Sequence, residues 1–261
     1  MMRAPLHGLR LLGLTTGLLV AAVSVCVSPS AADGRRVVLA CNDFPPLKIE
    51  HPGPDGRQGT DVDAIQEIGR RTGIMFETRF TPWKRGYAEA ADGTVDGLCS
   101  CSYREDRAPL FHFTDAIGET SVGIFHARHA EIHPIASLAD LTHEAQGKVA
   151  VVKGYNLEAE LEEAKIPHFA VSGDQQALEM LRNDRFDHLY SFRAPIEFIA
   201  DHDGDHLPYT ELRSSPYFIC LSKNVPEMAP LVPAINKAIA AMKADGTFDA
   251  IQRRYGQTPI N

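Results

Sequence analysis

The side chains of this chain best suited to bind an anion lie in one short polar segment, residues 100–115, which reads SCSYREDRAPLFHFTD. It follows a strand predicted at residues 94–99. Ser100 and Ser102 place hydroxyls at the end of that strand, and Arg107 comes shortly afterwards. A guanidinium offers paired donors that fit a carboxylate, which lysine cannot imitate. The segment therefore predicts a carboxylate-binding site, although an isolated arginine is more often a solvated surface residue.

The elements that must position this segment alternate between strand and helix. In the first half, strands are predicted at 36–41, 75–80 and 94–99, with helices at 61–72 and 83–91. The second half predicts strands at 121–127, 148–152, 168–171 and 186–191, with helices at 157–164 and 174–183. A lone strand at 216–222 and helices over 231–255, broken at Asp245 and Gly246, end the chain. This order predicts an α/β fold with two lobes, each a mostly parallel sheet flanked by helices.

The amino terminus has the pattern of a secretory signal. Arg3 and Arg10 accompany an apolar stretch at 11–27, and Ser30-Ala31-Ala32 provides a cleavage motif of small residues. The stretch is too short and too broken to predict a membrane span. We therefore expect cleavage after Ala32 and an exported product that stays in solution.

The charge balance argues against two classes of partner. The 261-residue chain carries 26 Lys and Arg against 34 Asp and Glu, which gives a net charge of −8. An acidic chain is poorly suited to bind nucleic acid or an anionic membrane surface, because both would repel it.

Four cysteines remain after the predicted cleavage, namely Cys41, Cys99, Cys101 and Cys220. An even number in an exported chain permits two disulfides, and three pairings are open. The spacing lacks the paired C-x-x-C motifs of zinc ribbons, so a metal site is the weaker interpretation.

A series of motifs, taken in order, resembles the periplasmic solute-binding proteins of polar amino-acid transport, bacterial extracellular family 3. The motifs are Phe44-Pro-Pro-Leu, Gly59-Thr-Asp-Val-Asp, Pro82-Trp-Lys-Arg, Gly93-Thr-Val-Asp-Gly, Arg107 with Phe113-Thr-Asp, Leu138-Ala-Asp-Leu, Val149-Ala-Val-Val-Lys-Gly-Tyr, residues 178–187, Ala244-Asp-Gly-Thr-Phe-Asp-Ala-Ile and Tyr255-Gly256. Each motif alone is weak, but their ordered occurrence covers nearly the whole mature chain.

The resemblance implies a periplasmic-binding-protein-like fold whose lobes close on a solute about two crossover strands. Lobe 1 would comprise residues 33–124 and 217–261, and lobe 2 residues 125–216, after a signal peptide at 1–32. The crossovers would lie near 123–127 and 214–218. The implied role is a periplasmic, monomeric binding protein without cofactor or metal, which delivers its solute to the membrane permease of an ABC importer.

The resemblance also implies which residues bind the solute. The matching positions are Arg107 for the carboxylate, Ser100 and Ser102 beside it, Phe44 and Trp83 as aromatic residues of the cleft, and Gly154, Tyr155 and Asn156 as a loop of lobe 2. That loop begins a helix, where backbone N–H groups can meet an anion.

One position departs from the family pattern. Phe192 stands where amino-acid binders of this family usually carry an aspartate for the α-ammonium group. Either a nearby acid, such as Glu158 or Glu197, takes its place, or the solute is not an ordinary α-amino acid. The implied solute is small, polar, carboxylate-bearing and amino-acid-like, and its carboxylate end is the firmer part of this expectation.

The expected strand order of this fold places the cysteine-bearing strands side by side. Because Cys99 and Cys101 point to the same face of their strand, we expect at least one disulfide near the floor of the cleft.

Other polar groups have two interpretations each. Asp61 and Asp63 could form a catalytic acid pair, but a helix cap at Asp61 and a favourable first-turn charge at Asp63 are the commoner arrangement. His126, His129 and His133, and likewise residues 201–206, offer metal-ligand chemistry, with a solvated loop as the alternative.

Two other functions compete with solute delivery. An exported enzyme on the same scaffold, similar to cyclohexadienyl dehydratases, would need a positioned acid, for which Glu158 and Glu197 are the candidates. A sensor component would present the solute to a membrane receptor instead of a transporter.

Overall fold

The computed structural model describes residues 1–2, 34–130, 134–141, 148–202, 204 and 206–257. The predicted signal peptide falls almost wholly outside these residues, as do His133, Asp203 and Asp205. The elements below all belong to one unit, Ala32–Asn261.

The described strands are β1 (Arg36–Cys41), β2 (Met75–Phe80), β3 (Gly97–Ser102), β4 (Phe111–His126), β5 (Val149–Val152), β6 (His168–Val171), β7 (His188–Phe192) and β8 (Tyr209–Ser222). They form an 8-stranded sheet in the order β2-β1-β3-β8-β4-β7-β5-β6.

The described helices are α1 (Thr60–Thr72), α2 (Trp83–Asp92), α3 (Asn156–Glu163), α4 (Asp174–Arg182), α5 (Arg193–His202), α6 (Val232–Ala244) and α7 (Thr247–Arg254). Short 3₁₀ turns occur at Leu138–Asp140 and Ala229–Leu231. None of the helices in the described ranges has the length and apolar character needed to cross a membrane.

The sheet has two parallel wings joined by a long antiparallel pair. β1 pairs in parallel with β2 and β3, and β5 pairs in parallel with β6 and β7. Between the wings, β4 and β8 run antiparallel from Phe111 opposite Ser222 to Phe125 opposite Tyr209. One end of this pair contacts β3 and the other contacts β7. The α/β prediction of two lobes linked by two strands is thus confirmed, whereas the domain boundaries at 124/125 and 216/217 stay a prediction.

The lengths of the two longest strands, β4 and β8, were poorly predicted from sequence patterns. Only 121–127 and 216–222 were predicted as extended, but β4 covers 16 residues and β8 covers 14. The first half of β8 is polar and partly exposed, so it has no apolar pattern that would predict a strand. Its backbone is held extended by pairing with β4. Helix α5 was not predicted either. Its sequence contains Pro195, which usually argues against a helix, but Pro195 lies in the first turn, where a helix tolerates proline.

The prediction for β3 was displaced by three residues. Residues 94–96 form a bend, and the strand begins at Gly97. Ser100 and Ser102 therefore lie within β3 and not beyond its end.

Two disulfides tie the sheet of lobe 1 together. Cys41–Cys99 joins β1 to β3, with a Cα–Cα distance of 5.1 Å. Cys101–Cys220 joins β3 to β8, with a Cα–Cα distance of 6.3 Å. Because Cys101 also lines the central cavity described below, the prediction of at least one disulfide near the cleft floor is confirmed.

Candidate functional site

A cavity of about 50 Å³ lies where the two wings of the sheet face each other. Lobe 1 contributes the turns that follow β1 and β3 and the start of α2, lobe 2 contributes the start of α3 and the end of β7, and the long strand pair forms the rear. The lining residues are Asn42, Phe44, Leu47, Lys48, Trp83, Ser100, Cys101, Ser102, Arg107, Thr120, Tyr155, Asn156, Phe192 and Tyr217.

Seven of the eight predicted ligand-binding residues line this cavity: Phe44, Trp83, Ser100, Ser102, Arg107, Tyr155 and Asn156. The eighth, Gly154, lines an adjoining groove at the mouth of the cleft. Residues from six separate elements and loops therefore meet at one place, while their role in binding stays a prediction.

Arg107 is held inside the cavity by its own turn. Its side chain is buried, with the residue 6% exposed, and Nη1 donates to the Ser102 carbonyl at 3.1 Å. The guanidinium carbon lies 5.4 Å from the ring centres of both Trp83 and Tyr87. Burial lowers the pKa of Arg107, yet a guanidinium stays charged at any physiological pH.

No ion pair among the described residues involves this guanidinium, in contrast to the neighbouring Arg104, which pairs with Asp106 and Glu163. A guanidinium has five N–H donors, so donors of Arg107 remain for an anion in the cavity.

Trp83 connects the two lobes at the cavity mouth. Its Nε1 donates to the Gly154 carbonyl at 2.7 Å. Gly154 has φ +82°, and a Cβ atom there would lie 3.6 Å from Trp83 Cδ1. The left-handed backbone explains why glycine suits this position, whereas the indole would make only an ordinary van der Waals contact with a Cβ atom.

Three aromatic rings close the opposite side of the cavity. Phe44 of lobe 1 packs edge-to-face on Tyr155 and Phe192 of lobe 2, with centroid distances of 6.1 and 5.4 Å. The Tyr155 hydroxyl donates to Asp174 Oδ2 at 2.8 Å behind the cavity wall. Burial raises the pKa of Asp174 to about 6. Because Tyr155 and Phe192 line the cavity here and Asp174 does not, the face that lobe 2 presents is aromatic and carries no charged side chain.

Sequence reasoning did not assign five uncharged lining residues and one charged one, Lys48, to the site; the uncharged ones are Asn42, Leu47, Cys101, Thr120 and Tyr217. Lys48 is 4% exposed, and its Nζ donates to Ser100 Oγ at 2.6 Å. Backbone hydrogen bonds between Phe44 and Lys48, at 2.8 and 2.9 Å, close a tight loop that turns the lysine inward. A lysine in a Pro-Pro-Leu-Lys context is expected to be solvated, so no local signal marked it.

The sequence favoured Asp61 as the N-terminal cap of α1, and this expectation is wrong. The N-cap is Gly59 and makes no side-chain cap bond. The Asp61 carboxylate is buried and accepts a hydrogen bond from Ser100 Oγ at 2.8 Å. It lies 4.0 Å from Lys48 Nζ. Burial raises the pKa of Asp61, and Lys48 opposes that shift.

Gly59 allows the lysine loop to approach the start of α1. Asp61 N–H donates to the Leu47 carbonyl at 2.8 Å. A Cβ atom at position 59 would lie 2.3 Å from that same carbonyl oxygen, and Gly59 has φ +109°. Only glycine fits there without displacing the loop that carries Lys48.

Comparison with known proteins agrees with this architecture. The family model described as bacterial extracellular solute-binding proteins, family 3, matches residues 37–258. The chain belongs to this family. The resemblance inferred from the motifs is therefore confirmed.

Individual relatives of this solute-binding protein are distant. The L-cystine-binding protein TcyA of Bacillus subtilis is 23% identical over 215 residues, which cover 81% of this chain and 77% of TcyA. A histidine kinase sensor domain similar to periplasmic binding proteins has a TM-score of 0.73 and 21% identity, covering 86% of this chain and 98% of that domain. The ancestral amino-acid-binding protein AncCDT-1, a precursor of cyclohexadienyl dehydratase, has a TM-score of 0.70 and 18% identity, with 84% and 95% covered.

The acids considered as replacements at the Phe192 position lie elsewhere in the solute-binding protein. Glu158 accepts a hydrogen bond from the Gly154 N–H and lines the mouth groove. Glu197 pairs with Arg193 at 2.7 Å on α5. Neither belongs to the cavity lining.

The described histidines do not form the metal sites considered from the sequence. His126 Nδ1 lies 3.1 Å from His188 Nδ1, and His126 Nε2 lies 2.9 Å from the Thr210 hydroxyl. His129 contacts Asp184 and Asp187 at the surface. The residues described in the structure bring together a different trio, Glu158, Glu162 and His168, whose ligand atoms lie within 4.8 Å of one another.

The buried His126 predicts a loss of stability in acid. Burial and the adjacent His188 lower the pKa of His126 to about 4, whereas histidine in an unfolded chain titrates near 6.5. Between these values the unfolded state binds a proton that the folded state does not, so stability falls as the pH drops. We expect this group to remove about 2 kcal/mol of unfolding free energy between pH 7 and 4.5.

Urea unfolding at the two pH values checks this, with His126→Asn as the comparison. The variant should lose less stability on acidification than the natural protein. An equal loss in both proteins would show that His126 does not contribute. Asp174, whose pKa is raised, changes stability in the opposite direction, but it is present in both proteins and does not affect the comparison.

Proposed function

We propose that this protein captures a small, polar, carboxylate-bearing solute of amino-acid size and delivers it to the permease of an ABC importer in the periplasm. The observation that carries the proposal is the buried Arg107 guanidinium, which faces a cavity between two lobes and has no ion-pair partner in the described part of the chain. A buried cation of this kind is stabilised by an incoming anion, because the two charges are then paired away from water.

Capture would involve closure of the lobes about β4 and β8. The cavity of about 50 Å³ holds only a few water molecules, so a larger solute enters when the lobes stand apart. The Trp83–Gly154 hydrogen bond and the Arg104–Glu163 ion pair both cross the gap. They would favour the closed arrangement once the solute is bound.

Family membership supports a binding and transport role, and the TcyA relative carries the name of an amino-acid-binding protein. For catalysis, the two acids considered from the sequence, Glu158 and Glu197, lie outside the cavity lining. Incubation with prephenate and arogenate tests the enzyme alternative directly, and turnover of either would overturn a purely binding role.

The downstream partner is proposed to be a transporter. The alternative is that the protein presents its solute to a membrane receptor, and the histidine kinase sensor domain of the same fold is an example of a sensing role. Loss of uptake of the identified solute in cells lacking this gene supports transport, whereas normal uptake with loss of a transcriptional response supports sensing.

The solute class is tested by a thermal-shift screen of the mature chain against amino acids, organic acids, amines and small sugars. A ligand at 100 times its Kd adds about 2.7 kcal/mol of stability. The fluorescence of Trp83, the single tryptophan of the chain, provides a second readout at the cavity mouth. Carboxylates are expected to raise the melting temperature and change this fluorescence, and a response to amines or sugars alone would refute the proposal.

A further inference from the structure

We infer that the cleft accepts a small dianionic acid without an ammonium group, such as a dicarboxylate, and that Lys48 is its second cation beside Arg107. This inference rests on the proposed function and narrows its solute class.

The charges at the cavity wall favour such a solute. The lining contains two basic residues, Lys48 and Arg107, and none of the lining residues in the described ranges is acidic. Burial lowers the pKa of Lys48, and Asp61, which lies 4.0 Å from its Nζ behind the wall, opposes that shift. An α-ammonium group would bring a third positive charge into this space without a carboxylate in contact. An unpaired buried charge is costly.

Two acids behind the cavity wall, Asp61 and Asp174, each accept a hydrogen bond from a lining residue. Asp61 accepts from Ser100 and lies beside Lys48. Asp174 accepts from the Tyr155 hydroxyl. Neither carboxylate lines the cavity, and Asp174 Oδ1 is buried without a hydrogen-bond partner among the described residues.

Two further acids lie near the cavity. Asp43 is exposed and follows the lining residue Asn42, and Glu160 is paired with a cation. It accepts hydrogen bonds from Arg213 at 2.7 and 2.9 Å and from the Tyr190 hydroxyl at 2.7 Å. It also accepts from the amide of Asn156, which is the lining residue in front of it. Glu160 is therefore paired with Arg213 behind the lining and does not face the cavity.

The two cations are anchored two residues apart on the same strand. Lys48 Nζ is bound to the Ser100 side chain, and Arg107 Nη1 to the Ser102 carbonyl. Two residues of strand span about 7 Å, so the two anchors are close enough for one small diacid to reach both basic groups. Nζ has three protons and gives one to Ser100, so it can also donate to a solute.

The opposite wall suits the carbon chain of such an acid. Phe44, Tyr155 and Phe192 present edge-packed rings, which cover apolar groups but offer no charge. The acid groups would therefore lie on lobe 1 and the methylenes against the aromatic rings.

Calorimetric titration with matched acids tests the inference. Succinate and glutarate are compared with L-aspartate and L-glutamate, which add only an ammonium group, and with butyrate, which lacks the second carboxylate. We expect the diacids to bind at least about tenfold more tightly than either comparison compound. Tighter binding of the amino acids overturns this inference but leaves the proposed function intact, whereas no binding of any carboxylate in this titration or the wider screen refutes both.

Variants at Lys48 separate recognition from folding. Lys48→Met should weaken succinate binding by about 10- to 100-fold and leave butyrate binding nearly unchanged, while Lys48→Arg should retain succinate binding. Because Lys48→Met leaves Asp61 without its cation, Lys48→Met/Asp61→Asn removes both charges together and should show the same selective loss. Equal losses for succinate and butyrate in the double variant would mean that Lys48 acts only on the structure, which contradicts the inference.

Discussion

Replacing Arg107 by alanine is expected to weaken binding of the strongest acid from the thermal-shift screen by about 100-fold or more. The solute carboxylate would then be buried without its charged partner, and truncating one partner of such a pair costs about 2–5 kcal/mol. Each 1.4 kcal/mol corresponds to about a tenfold change in Kd. Calorimetric titration of the natural protein and the variant measures the effect.

Two further variants control for charge and for folding. Arg85→Ala removes an exposed arginine of α2 that pairs with Glu89, and surface pairs of this kind contribute little, so binding should be unchanged. Arg107→Lys keeps the positive charge but loses the paired donors and should recover only part of the affinity. An unchanged Kd in a folded Arg107→Ala protein would show that the guanidinium does not hold the solute.

Removal of the Cys101–Cys220 disulfide is expected to lower the unfolding free energy by about 4 kcal/mol. The bond closes a segment with a sequence separation of 119 residues, and long closed loops restrict the unfolded chain most. For a chain of this size the loss corresponds to a decrease of about 10 °C in melting temperature. Thermal unfolding of Cys101→Ala/Cys220→Ala, beside the natural protein, measures it.

The matched comparison is Cys41→Ala/Cys99→Ala, which opens a loop with a separation of 58 residues. Its loss should be similar or slightly smaller, because the entropy of loop closure grows only slowly with length. Thiol titration of the unreduced, unfolded mature protein should find no free thiols. Four reactive thiols would remove the basis of this prediction.

Local sequence patterns were sufficient for three short strands in the parallel wings of the sheet. Arg36–Cys41, Met75–Phe80 and His168–Val171 were predicted with the observed bounds, because each is a short run that a turn or helix interrupts. The long strands β4 and β8 were underpredicted because their first parts, residues 111–120 and 209–215, lack a clear strand pattern and are extended through pairing with other strands of the sheet. A strand of that kind has no pattern of its own.

The candidate site likewise contains residues that the sequence predicted and contacts that only the coordinates revealed. Arg107, Ser100 and Ser102 were found because they lie in one short segment whose composition already indicates anion chemistry. Phe192 was noticed as a departure from the family pattern, but its place against Phe44 needed coordinates.

The sequence by itself determined the α/β class, the family and the cationic end of the site, since these depend on residue type and order along the chain. Only the tertiary structure decided the charge balance of the cavity. The partner of Lys48 is Ser100, 52 residues away, and the partner of Asp61 is the same serine, 39 residues away. A charged side chain turns inward only when groups distant in the sequence satisfy it there, because an unpaired charge stays in water.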